Sequence, residues 1–195
     1  MEKILYVHGL GSGANSSTLE HIKNFFDNYI VYGIEVNENP YQSIKKIQEC
    51  VDSNNIDILI GCSLGGFYCA YIKNVKYKFL VNPGFQIIEI LKNKIGFGVY
   101  EYFCEREDGN TYYTIDDEVI QNFKYFIMSP HETVHSDNSY AIISTNDTFI
   151  GNDYQIKNIQ SAYSYGFNLV LNSEFDHRIN NTVLNIIKSI LWKIF

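Results

Sequence analysis

Three features of the sequence predict an α/β domain built around a parallel sheet. First, short apolar runs such as those at 3–7 and 77–81 are typical of strands covered on both faces. Second, segments with apolar residues at helical spacing separate these runs. Third, a Gly-x-Ser-x-Gly motif at 61–65 stands between an apolar run and a helix-compatible run. We therefore expect about six mostly parallel strands, in the order 2-1-3-4-5-6, flanked by helices.

The bulk composition limits the class of protein. At 195 residues the chain fits one domain, and 46% hydrophobic with 19% charged residues is ordinary for a globular protein. The net charge of −7 disfavours nucleic acid and anionic membrane surfaces as partners. We expect neither a signal peptide nor a membrane insertion, since no apolar run reaches transmembrane length. The four cysteines form no CxxC pair, so we expect reduced thiols and a cytoplasmic protein.

The first part of the chain alternates strands and helices. The predicted strands are 3–7, 29–36, 56–60 and 77–81, and the predicted helices are 18–28, 41–52 and 67–72. The first helix carries Leu19, Ile22 and Phe26 at helical spacing. Asn39-Pro40 is typical of a helix start, and Asn82-Pro83-Gly84 ends the fourth strand. This alternation predicts parallel strands with right-handed crossovers.

The alternation breaks between 85 and 138. Helices are plausible at 85–93 and 116–126, but the aromatic residues between 97 and 113 form no βα unit. So long a departure inside a domain is typical of a cap or binding loop, and we expect a cap insertion here. The aromatic side chains fit a substrate pocket and the core equally well. The candidates for substrate binding are Tyr100, Phe103 and Tyr112.

The last part of the chain returns to the regular pattern. Apolar, β-branched runs predict a fifth strand at 140–145 and a sixth at 167–171. A helix at 154–165 separates them, and an apolar helix at 179–195 closes the chain. We find no repeat, linker or low-complexity segment, and we therefore expect residues 1–195 to form a single domain.

The Gly-x-Ser-x-Gly motif predicts a nucleophile elbow centred on Ser63. The motif has the strand–turn–helix context in which a serine is lifted clear of the sheet at a helix N-terminus. Gly61 and Gly65 would let the strand and the helix approach closely. The alternative is a serine that caps the helix in an ordinary loop. The flanking strand and the following Gly66 favour the elbow.

A nucleophilic serine needs a histidine base and a carboxylate that orients the base. In parallel sheets, sites form at the carboxyl ends of the strands. Ser63, Asp147 and His177 follow three such ends, in the chain order Ser, Asp, His. Asp153 is the second candidate for the acid, but its position suits a helix start. Asp176 is adjacent to His177 and is expected to point elsewhere.

The glycine-rich loop 8–13 is a candidate for the oxyanion hole. Its spacing fits neither a dinucleotide-binding fingerprint nor a P-loop. We expect the backbone N–H groups of Leu10 and Leu64 to stabilise a developing oxyanion. His8 is expected to orient the loop and not to take part in the chemistry. This arrangement requires no cofactor.

At these positions the chain resembles the small bacterial YqiA-like esterases of the α/β-hydrolase superfamily. The resemblance runs nearly end to end and rests on Tyr6-Val7-His8-Gly9, Gly61-Cys62-Ser63-Leu64-Gly65-Gly66-Phe67-Tyr68, Val81-Asn82-Pro83, Asn146-Asp147, Asp176-His177 and the turn at 108–113. It implies a single-domain α/β-hydrolase fold, Ser63, Asp147 and His177 as the triad, and a short acyl ester or thioester as the small-molecule substrate. The sequence departs from the family at Cys62, Asn146 and Thr148, where a serine, a glycine and an acidic residue are common.

Two other functions have to be weighed. His131-Glu132-Thr133-Val134-His135 matches the H-E-x-x-H zinc-protease pattern, which needs both histidines on one helical face. The motif follows Ser129-Pro130 and leads into the fifth strand at its amino end, so we expect a loop and no metal site. The second alternative is a non-catalytic binding protein on the same fold, since fold does not fix function.

Overall fold

The computed structural model describes residues 1–129, 133–134 and 137–192. The strands are β1 (Lys3–Val7), β2 (Ile30–Ile34), β3 (Ile58–Cys62), β4 (Tyr77–Val81), β5 (Gly98–Glu101), β6 (Tyr112–Ile115), β7 (Ser139–Ser144) and β8 (Asn168–Asn172). The helices are α1 (Ser17–Phe25), α2 (Pro40–Asn54), α3 (Leu64–Cys69), α4 (Ile87–Ile90, continued by a π-helical turn over Leu91–Ile95), α5 (Asp117–Met128), α6 (Asn152–Ser164) and α7 (Asn181–Trp192).

Six parallel strands form the central sheet, in the order β2-β1-β3-β4-β7-β8. This is the order that the alternation of strands and helices predicts. The register sets the carboxyl ends side by side: Val7 pairs with Gly61, and Cys62 pairs with Val81. The loops that carry Ser63, Asp147 and His177 therefore leave the sheet at one edge.

Helices cover both faces of the sheet. In β1, Leu5 and Val7 pack in the layer that contains α2, α3 and α5, whereas Ile4 and Tyr6 pack in the layer that contains α1 and α7. All five residues of β3 and of β4 are buried, which explains their continuous apolar sequence. Burial of one large aliphatic side chain stabilises the fold by roughly 1.5–3 kcal/mol, so these layers hold the sheet edge in place.

The starts of the helices follow from local sequence. The Ser16 side chain caps α1 by accepting a hydrogen bond from the N–H of Leu19. Asn39 caps α2, whose first residue is Pro40, as Asn-Pro predicts. The Asp116 carboxylate caps α5 by accepting from the N–H of Val119 at 2.9 Å. The helix bounds differ from the predicted ones by a few residues, because helix ends are set by caps more than by apolar spacing.

The segment between β4 and β7 contains the two predicted helices and one element that the sequence did not predict. Strands β5 and β6 form a separate antiparallel hairpin, in which Tyr100 pairs with Tyr113. Each strand has only four residues, and every second side chain is exposed, so no continuous apolar run marks them. The assignment of this segment as a cap stays a prediction.

No helix in the described part of the chain is both long and apolar enough to span a membrane. The H-E-x-x-H motif, for which we expect no metal site, lies largely outside the described residues, since His131, Glu132 and His135 are not among them. Within residues 1–129, 133–134 and 137–192, no group of three or more His, Cys, Asp or Glu side chains could hold a metal ion.

Candidate active site

Ser63 lies at the turn between β3 and α3 with φ 55° and ψ −117°. A positive φ is unusual for a residue with a Cβ, and such strain persists only where the surroundings enforce it. A Cβ on Gly61 would lie 2.5 Å from the carbonyl oxygen of Gly65, and a Cβ on Gly65 would overlap the backbone carbonyls of β1 and its loop. The two glycines therefore permit the close packing of strand and helix that the elbow needs.

The predicted oxyanion N–H groups, those of Leu10 and Leu64, belong to the two segments that meet at this serine. A Cβ on Gly9 would lie 3.3 Å from the Ser63 Cβ, so the loop after β1 packs directly on the elbow. Leu64 is the first residue of α3, and its N–H has no acceptor within the helix. Within the described part of the chain, neither this N–H nor that of Leu10 donates to a protein acceptor. Both are available to an anionic oxygen.

A carboxylate–histidine pair lies at the same edge of the sheet. Asp147 follows β7 and is 1% exposed, and its Oδ2 accepts a hydrogen bond from His177 Nδ1 at 2.6 Å. The other oxygen, Oδ1, accepts from the N–H groups of Phe149 and Ile150 at 3.0 and 3.1 Å. The carboxylate is thus fixed by its own loop, and it orients the imidazole through Nδ1.

The loop that carries His177 is tied to the elbow through its backbone. The carbonyl of His177 accepts from the side-chain amide of Asn82 at 3.0 Å and from the Cys62 thiol at 3.7 Å. Asp176 accepts from the N–H and the hydroxyl of Thr148, at 2.8 and 2.7 Å, so it points away from the imidazole and braces the neighbouring loop. Ser63 Oγ and His177 Nε2 form no hydrogen bond with any described residue.

Asp153, the second candidate for the acid, lies in the first turn of α6 and is exposed. A carboxylate in a first helical turn interacts favourably with the helix dipole. Asp147, not Asp153, contacts His177.

A buried charged cluster lies against the glycine-rich loop 8–13. Arg106, which is 5% exposed, contacts Glu35 Oε1 at 2.7 Å and Asp108 Oδ2 at 2.6 Å. It also donates to the carbonyl of Ser12 at 3.0 Å. His8 Nε2 lies 2.9 Å from Glu35 Oε1, which accords with the expected orienting role of this histidine. No sequence pattern indicates this cluster, since Arg106 stands in an otherwise polar run.

The three aromatic residues expected to bind substrate occupy different places. Phe103 is 74% exposed and lies against Gly11, next to the predicted oxyanion residue Leu10. Tyr100 donates its hydroxyl to the carbonyls of Ile95 and Gly96, so it is engaged in the structure of its own segment.

Tyr112 lines a cleft of about 390 Å³ together with Glu38 and Asp116, away from the candidate triad. Neither Ser63, Asp147 nor His177 lines that cleft. A substrate-binding role for Tyr100, Phe103 and Tyr112 stays a prediction.

Phe149 is an aromatic residue at the site that the sequence did not single out. Its ring lies 4.8 Å from the ring of His177, measured between centroids, and its side chain is 60% exposed. The nearness of Phe149 to Asp147 in sequence could have drawn attention to it. An exposed aromatic ring beside the imidazole offers an apolar surface to a bound substrate.

The fold is that of the α/β hydrolases. Over residues 3–192 the chain matches the family described as "Uncharacterised protein family (UPF0227)". The chain belongs to this family, the YqiA-like family that its motifs indicate. No curated protein matches it.

Solved structures with the same fold include several esterases. Alpha/beta hydrolase domain-containing protein 10 from mouse has a TM-score of 0.66 at 14% identity, covering 99% of this chain and 90% of that chain. Est1E from Butyrivibrio proteoclasticus, with ferulic acid bound, has a TM-score of 0.67 at 9% identity and covers 100% and 88%. The hyperthermophilic esterase from Pyrobaculum calidifontis has a TM-score of 0.58 at 15% identity and covers 100% and 77%. At these identities the likeness establishes the hydrolase fold.

Proposed function

We propose that the protein is a serine hydrolase that cleaves a carboxylic ester or thioester of a small or acyl-chain substrate through an acyl-enzyme. One observation carries the proposal: strained Ser63 stands on its elbow at the sheet edge where Asp147 holds His177 at 2.6 Å. The esterases among the structures that share this fold are consistent with this chemistry. The proposed reaction needs no cofactor.

In the proposed mechanism the Ser63 hydroxyl attacks the acyl carbonyl while His177 Nε2 takes its proton. Asp147 stabilises the imidazolium through Nδ1–H. The backbone N–H groups of Leu10 and Leu64 bind the oxyanion of the tetrahedral intermediate. His177 then gives the proton to the leaving alcohol or thiol, and a water molecule repeats the sequence on the acyl-enzyme.

The adjacent cysteine is a poor candidate for the nucleophile. Burial raises the pKa of the Cys62 thiol to about 12, so the thiol stays protonated at neutral pH. A thiolate, not a thiol, is the reactive form. The contact of its Sγ with the His177 carbonyl instead gives Cys62 a packing role behind the elbow.

We place the protein in the cytoplasm, with a small-molecule ester or thioester as its partner and no nucleic acid. All four cysteines are free, which suits a reducing compartment. The net charge of −7 opposes binding to nucleic acid.

The test of the proposed function is hydrolysis of a panel of p-nitrophenyl esters and acyl thioesters by wild type and by Ser63→Ala. We expect the substitution to lower kcat by roughly four to six orders of magnitude, because the triad acts as a unit. The matched control is Cys62→Ser on the adjacent residue, which should keep most of the activity. Ser63→Ala activity within tenfold of wild type would contradict the mechanism. An inactive wild type that still binds small molecules would favour the non-catalytic alternative.

A further inference from the structure

Helix α6 directs a buried glutamine at the rear of the Asp147 carboxylate. Gln155 is 2% exposed, and its Nε2 lies 3.1 Å from Asp147 Oδ2. The same nitrogen lies 2.9 Å from Asn82 Oδ1 and 3.2 Å from the carbonyl oxygen of Ser144. A side-chain amide is mostly exposed in proteins, and when buried it needs all its partners. Here the two N–H groups face three acceptors, and one of these acceptors is the oxygen that accepts from His177.

Asn82 completes the connection from this glutamine to the base. It is fully buried at the end of β4, with φ 42°, a left-handed conformation that asparagine tolerates better than most residues. Its Nδ2 donates to the carbonyls of Asp176 and His177, each at 3.0 Å. Hydrogen bonds thus connect Asp147 through Gln155 and Asn82 to the backbone of His177, and the ring of His177 returns to Asp147.

The direction of the Gln155 amide is fixed by its other end. Asn158, one turn further along α6, donates to Gln155 Oε1 at 2.9 Å and is fully buried. A flipped Gln155 amide would set its oxygen against the oxygens of Asp147 and Asn82, and its NH₂ group against that of Asn158. The Asn82 oxygen is itself set by the N–H of Ser144, which donates to it at 2.8 Å, so the Gln155 nitrogen faces the oxygens of Asp147, Asn82 and Ser144.

We propose that Gln155 is a positioning residue of the acid–base pair: its amide holds Asp147 Oδ2 in line with His177 Nδ1, while Asn82 holds the backbone of His177. The proposal rests on the proposed function. Gln155 acts through Asp147 and contacts neither the substrate nor the reacting atoms. A carboxylate without this donor can rotate, and its free oxygen binds a protonated imidazole more strongly.

The groups that face His177 from the described part of the chain are few. The titratable groups that contact His177 are Asp147 from the loop after β7, Cys62 from the elbow and Asp176 from its own loop, and Arg178 follows it in the chain. Replacing Gln155 changes the chemical identity of none of these groups, and among them Gln155 contacts only Asp147. A change in the titration of His177 can therefore be assigned to the lost donor on Asp147.

The experiment measures kcat, KM and the pH dependence of kcat/KM for wild type, Gln155→Met and Gln155→Asn on the best ester of the panel. We expect kcat to fall about 10–100-fold with little change in KM, since small misplacements of a catalytic group cost this much. We expect the acid limb of the pH profile to move up by about half to one unit, the effect of one lost hydrogen bond. The matched control is Gln86→Met, because Gln86 donates to Ser161 on the same helix and does not contact Asp147.

The proposal would be overturned if the folded Gln155 variants had the same kcat, and the same acid limb in the pH profile of kcat/KM, as Gln86→Met. If Gln155→Met does not fold, Gln155→Asn decides, since it keeps a polar amide at the site. Failure of both to fold would assign Gln155 to the fold alone and would also overturn it. If Ser63→Ala abolishes activity while both Gln155 variants keep wild-type activity, only this inference is contradicted. If wild type is inactive on every substrate, the proposed function is contradicted as well.

Discussion

The two sides of the candidate active site are held by different chemistry. On the oxyanion side, loop 8–13 is fixed by charges, with Arg106 between Glu35 and Asp108. On the acid–base side, Asp147 is surrounded by backbone N–H groups and by the neutral amide of Gln155. The charges that support the loop are paired with one another. The Asp147 carboxylate has neutral neighbours, and in the proposed mechanism its charge acts on His177.

The two sides also differ in what they connect. The charged cluster joins segments far apart in the chain, since Arg106 of the β5–β6 loop reaches Glu35 at the end of β2. The hairpin is further attached by the N–H of Phe103, which donates to the carbonyl of Gly11 at 2.7 Å. The amide network instead joins the ends of neighbouring strands. Loss of the charged cluster should therefore affect stability most, and loss of the amide network should affect catalysis most.

The largest expected effect on stability comes from Arg106→Met. It leaves the buried Glu35 without its guanidinium partner, and breaking a buried ion pair on one side typically costs about 3–5 kcal/mol in free energy of unfolding. Urea unfolding at pH 7 measures it. The matched control is Lys157→Met, which removes the exposed pair with Glu89 and should change little. Equal stability of the two variants would show that the cluster does not hold the fold.

The same cluster predicts a loss of stability in acid. The hydrogen bond from Arg106 lowers the pKa of Asp108 to about 2. Burial raises the pKa of Glu35, but hydrogen bonds from His8 and the Glu107 N–H, with the charge of Arg106, leave it lowered. A carboxyl group whose pKa is lowered in the folded state stabilises the fold at pH values above its unfolded-state pKa, which is near 4. This stabilisation is lost as the pH falls toward 2.

Asp108→Asn tests this acid dependence, because Asp108 is at the open side of the cluster and its replacement should leave the fold intact. Urea unfolding between pH 5 and pH 2.5 should show a smaller acid-induced loss than in wild type. If the free energy of unfolding fell with pH as steeply in Asp108→Asn as in wild type, Asp108 would not contribute to the acid sensitivity.

A smaller effect is expected at the aromatic residues that flank the site. Phe149 contacts the His177 ring and Phe103 contacts Gly11, so we expect either alanine variant to alter acyl-length preference. Each buried methylene contributes about 0.8 kcal/mol, or roughly fourfold in binding. The matched control is Tyr125→Ala on α5, whose side chain is 61% exposed against 60% for Phe149. Tyr112→Ala is measured beside the other candidates.

A series of p-nitrophenyl esters of increasing chain length measures this preference, with Tyr100→Ala included. Identical profiles for every folded variant would remove the aromatic residues from substrate binding, and with them the interpretation of the segment as a cap.

The sequence predicted the sheet and the positions of the candidate triad because both follow from local patterns. Apolar runs give the strands, and the strand ends place Ser63, Asp147 and His177 at one edge. It could not predict the hairpin, whose strands are short and half exposed. Burial of Arg106 and of Gln155 depends on how a loop and α6 pack on the strand ends, and no local pattern encodes that packing.

The most direct test of the proposed chemistry is covalent labelling by a fluorophosphonate, with the modified residue mapped by mass spectrometry. Fluorophosphonates react with serines that a base activates. We expect one label per chain on Ser63, no label on Cys62, and much slower labelling in His177→Ala. Absence of a label on folded wild type, or a label that persists in Ser63→Ala, would contradict the assignment of Ser63 as the nucleophile.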